Sequence, residues 1–182
     1  MNFANYPSSI NHHSRHHRAF TLVELLVVIA IIGVLASIGL ANFRTSQIKS
    51  RDAQRKSDAK QIQNTVELIY NDHGAYPLAN AAGQILACNY NVADPASSGA
   101  CTWGDTDTSI SDTNTLYLKR IPADPGAFDY YYASTGTKYK ILSRLENPDD
   151  LSIVSGLTPS CGSLTCNFGL SSANTTISDS TF

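Results

Sequence analysis

The chain has 182 residues, 42% of them apolar, and a formal net charge of −2. That length allows one compact domain plus an extension, not two ordinary domains. The near-neutral balance points to neither a nucleic-acid binder nor a polyanion, and the sequence holds no nucleophile–base pair, phosphate loop or paired-carboxylate cleft, so no enzyme is expected.

Charge is unevenly distributed. Residues 1–19 carry two arginines, four of the five histidines and no acid. Residues 44–60 carry a net of +4, and residues 61–182 a net of −7. The chain has a basic stem and an acidic head. His12, His13, His16 and His17 fit a polar leader better than a metal cluster.

Phe20 to Phe43 holds one acid, Glu24, and no base. As a helix the run spans ~36 Å, enough for a bilayer core of roughly 30 Å. It is too long for a signal-peptide core, and no A-x-A site follows it. A plain membrane anchor fits the length but leaves Glu24 unexplained, because an acid in hydrocarbon costs about 3 kcal/mol even on insertion scales. If the chain began at Phe20, its free amine would lie about 6 Å from Glu24 along the axis. Among parallel copies, the amine of one chain and the acid of the next then pair, and the acid sets the register.

The helical pattern continues from Arg44 to about residue 73 without proline or glycine. Ala59, Ile62, Val66, Ile69 and Tyr70 recur on one face. Asn71-Asp72-His73-Gly74, with Pro77 beyond, is a stop signal. One helix of about fifty residues is predicted, apolar over 20–43 and amphipathic over 44–74. The basic positions of 44–60 are expected on its solvated face.

Residues 78–115 have a loop composition. Tyr130–Ala133 and Lys138–Leu145, flanking Ser134-Thr135-Gly136-Thr137, predict a β-hairpin. In the second run Tyr139, Ile141 and Leu145 are expected to face the core, with Lys138, Lys140 and Arg144 opposite. Tyr130, Tyr131 and Tyr132 are expected mainly in core and sheet packing. Leu151–Val154 is a candidate third strand, and the polar tail from Ser171 to Phe182 is expected to fray.

Cys88, Cys101, Cys161 and Cys166 all lie beyond the apolar run. Their even number and loop setting favour disulfides in an oxidising space over a single zinc site, whose usual CxxC pairs are missing. Three connectivities are open. Loop closure favours the local pairs Cys88–Cys101 and Cys161–Cys166.

Ala19-Phe20-Thr21-Leu22-Val23-Glu24-Leu25-Leu26 resembles the prepilin cleavage and methylation motif of bacterial type IV pilins and type II secretion pseudopilins. Tyr70–Pro77 and Ile121-Pro122-Ala123-Asp124-Pro125, with the tyrosine-rich hairpin, are similar to the heads of major pseudopilins and small pilins. The resemblance implies an α+β pilin-like fold, a long N-terminal helix packed on a small antiparallel sheet head over 75–182. It implies cleavage of leader 1–19 between Ala19 and Phe20, methylation of the Phe20 amine, and Glu24 as the assembly acid. Implied partners are further copies of the chain, other pilins, a prepilin peptidase and a filament assembly platform. No nucleic-acid partner is implied, other than indirectly in a DNA-uptake pilus, and no cofactor.

Three positions depart from the family pattern. Ala19 replaces the usual glycine before the cut, Ala41 stands where many members have a kinking proline, and Asp149-Asp150 is a poor substitute for the calcium loop of major pseudopilins. Charge counting alone would keep the head inside, since the +4 stretch follows the span. The cysteines and the cleavage motif put it outside: a single pass of the bacterial cytoplasmic membrane, then an extracellular or envelope-spanning filament. The alternative is a single-pass anchor with an outside binding domain and no filament.

Overall fold

The computed structural model describes residues 20–182, with side chains at all of these but 38–42; the expected leader 1–19 lies outside the described residues. The chain divides after Phe43 into two compact units. Helix α1, Leu22–His73, is a single element of 52 residues, as the pattern predicts.

In the first unit every side chain from Phe20 to Ser37 is exposed, including the apolar Phe20, Leu22, Val23 and Leu25. Ser37 donates its hydroxyl proton to the Val34 carbonyl at 2.7 Å, so this polar group is satisfied within the helix. Among the described residues no helix is long and apolar enough to cross a membrane. Residues 38–42 of the expected span lie outside the described side chains.

In the second unit, Ala59, Ile62, Val66 and Ile69 are all buried, the face that the periodicity predicts. Tyr70 is the exception: it stays partly exposed and stacks on Tyr76 with ring centroids 4.4 Å apart. α1 ends where Gly74 adopts φ +74 and its N–H donates to the Tyr70 carbonyl at 2.7 Å, a left-handed cap that favours glycine.

The strands are all antiparallel. β1 (Leu78–Ala79), β2 (Ile85–Cys88), β4 (Ile110–Ser111) and β5 (Leu116–Leu118) run in that spatial order, and β3 (Gly99–Cys101) also pairs with β2. This corrects the loop expected over 78–115. Its strands are two to four residues long, too short for a readable alternation, yet Ile85, Ala87 and Ile110 enter the core.

The second sheet has the order β10-β7-β6, with β6 Tyr131–Ser134, β7 Tyr139–Ser143 and β10 Phe168–Ser171. The hairpin of β6 and β7 is the predicted one, with β6 one residue later and β7 shorter, ending at Ser143 rather than Leu145. Its third strand is β10, pairing Phe168 with Ser143 through Ser171 with Lys140, not Leu151–Val154. Residues 151–152 form a turn, and Leu151 is fully exposed. β8 (Ser160–Cys161) and β9 (Leu164–Thr165) form a small separate hairpin.

Both faces of β7 are covered, contrary to the solvent-facing side expected for Lys140. Tyr139 and Ile141 join the main core with Ile62, Val66 and Ile69, while Leu142 packs with Leu157 and the Cys161–Cys166 bridge. Tyr130 and Tyr132 are buried, as expected of core tyrosines, and Tyr131 is half-buried. The tail does not fray. Lys138 Nζ meets Asp179 Oδ2 at 2.7 Å, Lys140 Nζ donates to the Asp179 carbonyl at 2.7 Å, and Lys140 lies 4.4 Å from the Phe182 ring centre. Ile177 packs against the second cluster. The polar tail is held here by two lysines together with the packing of Ile177.

The disulfides join Cys88 to Cys101 and Cys161 to Cys166, the pairs that loop closure favours. The first crosses from β2 to β3, and all four cysteines are buried. In the chain-entropy model each loop of this size contributes about 2–3 kcal/mol.

One turn before Ala59, Arg55 continues the core face of α1 with its side chain fully buried. Its Nε and Nη2 grip Asp124 at 2.6 and 2.9 Å, and its Nη1 reaches Asp52 at 2.8 Å and Glu146 at 2.8 Å. Asp52 also accepts the backbone N–H groups of Glu146 and Asn147 at 2.9 and 2.8 Å. Arg51 completes the set on Glu146. A Cβ at Gly126 would stand 3.0 Å from Arg55 Nη2 and 3.3 Å from Asp124 Oδ1, so a larger residue in the turn after Pro125 would press on the ion pair. Burial opposes the Arg55 charge, but the bonds from Asp124 and Glu146 outweigh it and raise its pKa. The Arg51 hydrogen bond draws Glu146 down from 4.5 to about 2. Arg55 is thus buried, and the half-buried Arg51 and Lys56 are bound by acids of the head, a correction to the solvated face expected for 44–60; Arg44, Lys49 and Lys60 are exposed as expected.

Arg55→Met should cost about 3–5 kcal/mol, because it strands buried carboxylates; thermal unfolding of the full chain in detergent micelles measures it, and a loss below about 1 kcal/mol would show that the cation is not central. Stability should also depend on pH. Glu146 and Asp150 both titrate lower in the folded chain, at about 2, than in the unfolded one. Their contribution is complete above the unfolded values and is lost as pH falls toward about 2. The melting temperature should hold steady from neutral pH to about 5.5 and then decline through that window.

Candidate assembly site

The candidate site is the start of α1. Ala19, the residue before the expected cut, lies outside the described residues. Phe20 is 85% exposed. Glu24 sits in the first helical turn, where a negative charge meets the positive end of the helix dipole.

The structure brings Glu24 together with a residue that the sequence reading passes over. Thr21 donates to Glu24 Oε2 twice, from its backbone N–H at 3.0 Å and its hydroxyl at 2.9 Å. The Glu24 N–H returns a bond to Thr21 Oγ1 at 3.2 Å. This is a reciprocal capping box, and its signal, Thr-x-x-Glu ahead of an apolar run, stands in the sequence. The cap satisfies backbone donors that the first turn leaves without helical partners and contributes about 1 kcal/mol.

The arrangement defines what Glu24 can do chemically. A carboxylate offers about four acceptor positions. Two are engaged by Thr21, which leaves capacity for a cation brought by another molecule. A lone helix therefore holds its acid hydrogen-bonded without neutralising it.

The head contains the other site that the resemblance raises, the calcium loop. Calcium takes about six to eight oxygen ligands at roughly 2.3–2.6 Å. Here Lys56 Nζ donates to Asp150 Oδ1 and Oδ2 at 2.8 and 2.7 Å and to Ser152 Oγ at 3.1 Å. Asp149 points into solvent, and no group of three or more metal-type ligands exists among the described residues. The residues do not fit a calcium ion, because an ammonium group occupies the carboxylate.

At the end of α1, His73 Nε2 lies 3.0 Å from both Asp112 Oδ2 and the Tyr117 hydroxyl, and Tyr117 donates to Asp72 at 2.8 Å. These contacts tie the helix terminus to β5 and the loop before it.

Comparison with known proteins agrees with this geometry. A family model described as the prokaryotic N-terminal methylation motif matches residues 14–40. The type II secretion system core protein G of Escherichia coli is 31% identical, across 69% of this chain and 79% of the relative. That of Aeromonas hydrophila is 30% identical, across 70% and 80%. The type IV major pilin protein PilA of Myxococcus xanthus is 35% identical across 37% of this chain and 31% of its own length. No solved structure matches the chain. With the methylation motif on an apolar helix, an antiparallel head and this similarity along most of its length, the chain belongs to the family of type II secretion pseudopilins and type IV pilins, the structural subunits of filaments.

Proposed function

We propose that leader 1–19 is removed between Ala19 and Phe20 by a prepilin peptidase and that the Phe20 amine is methylated. Residues 20–43 then span the cytoplasmic membrane once, and 44–74 carry the 75–182 head on the outer side. From there the chain enters a filament with further copies and other pilins at an assembly platform. Its role is structural, not catalytic. The longer similarity, to core protein G, supports a pseudopilin-type subunit over a pilus subunit. Two buried disulfides support an oxidising compartment for the head.

The observation that carries the proposal is an acid one turn into an apolar helix, directly after Ala19-Phe20. In an isolated subunit the Thr21 bonds and nearby head groups make Glu24 tolerable. In a filament, water is scarce. A neighbour's terminal amine then gives the acid a full opposite charge, and an unpaired partner costs about 3–5 kcal/mol. That penalty falls on misregistered subunits and spares correct ones.

Glu24→Ala and Glu24→Gln separate the two roles of the residue. Gln can complete a capping box but carries no charge. Both variants should insert in the membrane and accumulate as monomer, with sheared or secreted filament sharply reduced. Full assembly of Glu24→Gln beside failure of Glu24→Ala would make the cap the requirement. Normal filament from both would favour the anchor without a filament.

A further inference from the structure

We infer that the Lys56 ammonium is the built-in cation that closes the 146–153 segment of the head, so that folding of this chain needs no calcium. The geometry carries this. Lys56 has three N–H donors, and three oxygens stand around it: both of Asp150 and the hydroxyl of Ser152, 94 and 96 residues further along the chain. The segment is fastened on either side of that point. Asp52 holds the N–H groups of Glu146 and Asn147, and the Val154 N–H donates to the Asn167 carbonyl at 2.8 Å. Between these anchors Asp150 accepts from the Ser152 N–H at 2.9 Å, and the Ile153 N–H closes on the Asp150 carbonyl at 3.1 Å.

Charge argues the same way. The cleft beside the clasp is lined by Lys49, Asp52, Lys56, Asn147, Asp149 and Asp150. Asp52 is committed to Arg55, Asp150 to Lys56, and Asp149 is exposed to solvent. A divalent cation entering there would have to displace Lys56 from Asp150, in a cleft that Lys49 also lines. The Lys56 hydrogen bond, followed by the Ser152 N–H, holds the Asp150 carboxyl down at about 2, so it stays ionised for its partner at any physiological pH. Lys56 also lies 5.8 Å from the centre of the Phe168 ring, at the start of β10. One side chain of α1 thus fixes both the segment and its position beside the second sheet. Leu151, between the two residues that Lys56 holds, is presented wholly to solvent.

The test uses the full chain in detergent micelles, melted with about 1 mM calcium chloride or with excess chelator; a resident ion would raise the melting temperature by mass action. The wild-type chain should melt within about 1 °C in the two conditions. Lys56→Met and Asp150→Asn should each melt several degrees lower, equally with and without calcium. The double variant should lose little more than either single one, because both remove the same contact. A wild-type melting temperature several degrees higher in calcium would overturn the inference, whatever the variants do. So would a Lys56→Met chain that melts like wild type, or losses that simply add in the double variant.

Discussion

Arg55 places a guanidinium inside the head, where a charge is tolerated only if opposite charges and acceptors meet it from several sides. Asp52 comes from the same helix, Asp124 from the turn after Pro122, and Glu146 from the segment after β7. Two distant parts of the chain thus converge on one side chain of α1. The apolar face of α1 buries Ala59, Ile62, Val66 and Ile69 against tyrosines and β-branched residues. The Arg55 set adds directional bonds that tie this face to Asp124 and Glu146. Lys56, the next residue, stands within reach of Asp150, and the clasp of the 146–153 segment lies beside the Arg55 set.

The acids on α1 divide by function along its length. Asp52, Asp58 and Glu67 serve the head: Asp58 accepts from Tyr130, and Glu67 accepts from Tyr76 and Tyr139. Burial, the larger effect, raises the Tyr130 and Tyr139 pKa values, and their acid partners add to it, so both phenols remain neutral donors. Glu24 lies at the other end of the helix, in the first of the two units. Its hydrogen bonds come from Thr21, three residues away, and end at the helix cap. A carboxylate held ready at a helix start and not neutralised is the feature that a filament of parallel helices can use.

Much of this was legible from residue types alone. The extent of α1 follows from the absence of proline and glycine through the amphipathic half and from the stop at Gly74. Both disulfide pairs follow from loop closure, and the cleavage motif is a local string. What was not legible depends on tertiary pairing. A scan for apolar periodicity passes over Arg55, because a charged residue continues the core face there. Leu151–Val154 and Phe168–Ser171 are comparable short apolar runs; β7 accepts the second, while Lys56 binds Asp150 and Ser152 around the first. The tail lacks apolar weight, so its order on Lys138 and Lys140 is a charge effect that composition does not announce. Thr21 is a different case. The capping box was present in the string, and the weight placed on Glu24 as an acid in lipid obscured its local partner.

In the proposed pathway the chain enters the filament through a new N-terminus. The most direct measurement is the intact mass of the protein extracted from membranes, with sequencing of its first peptide. This pathway predicts a chain that starts at Phe20 and carries one methyl group on its amine. A chain that retains Met1, or one cut after Leu40, would contradict it.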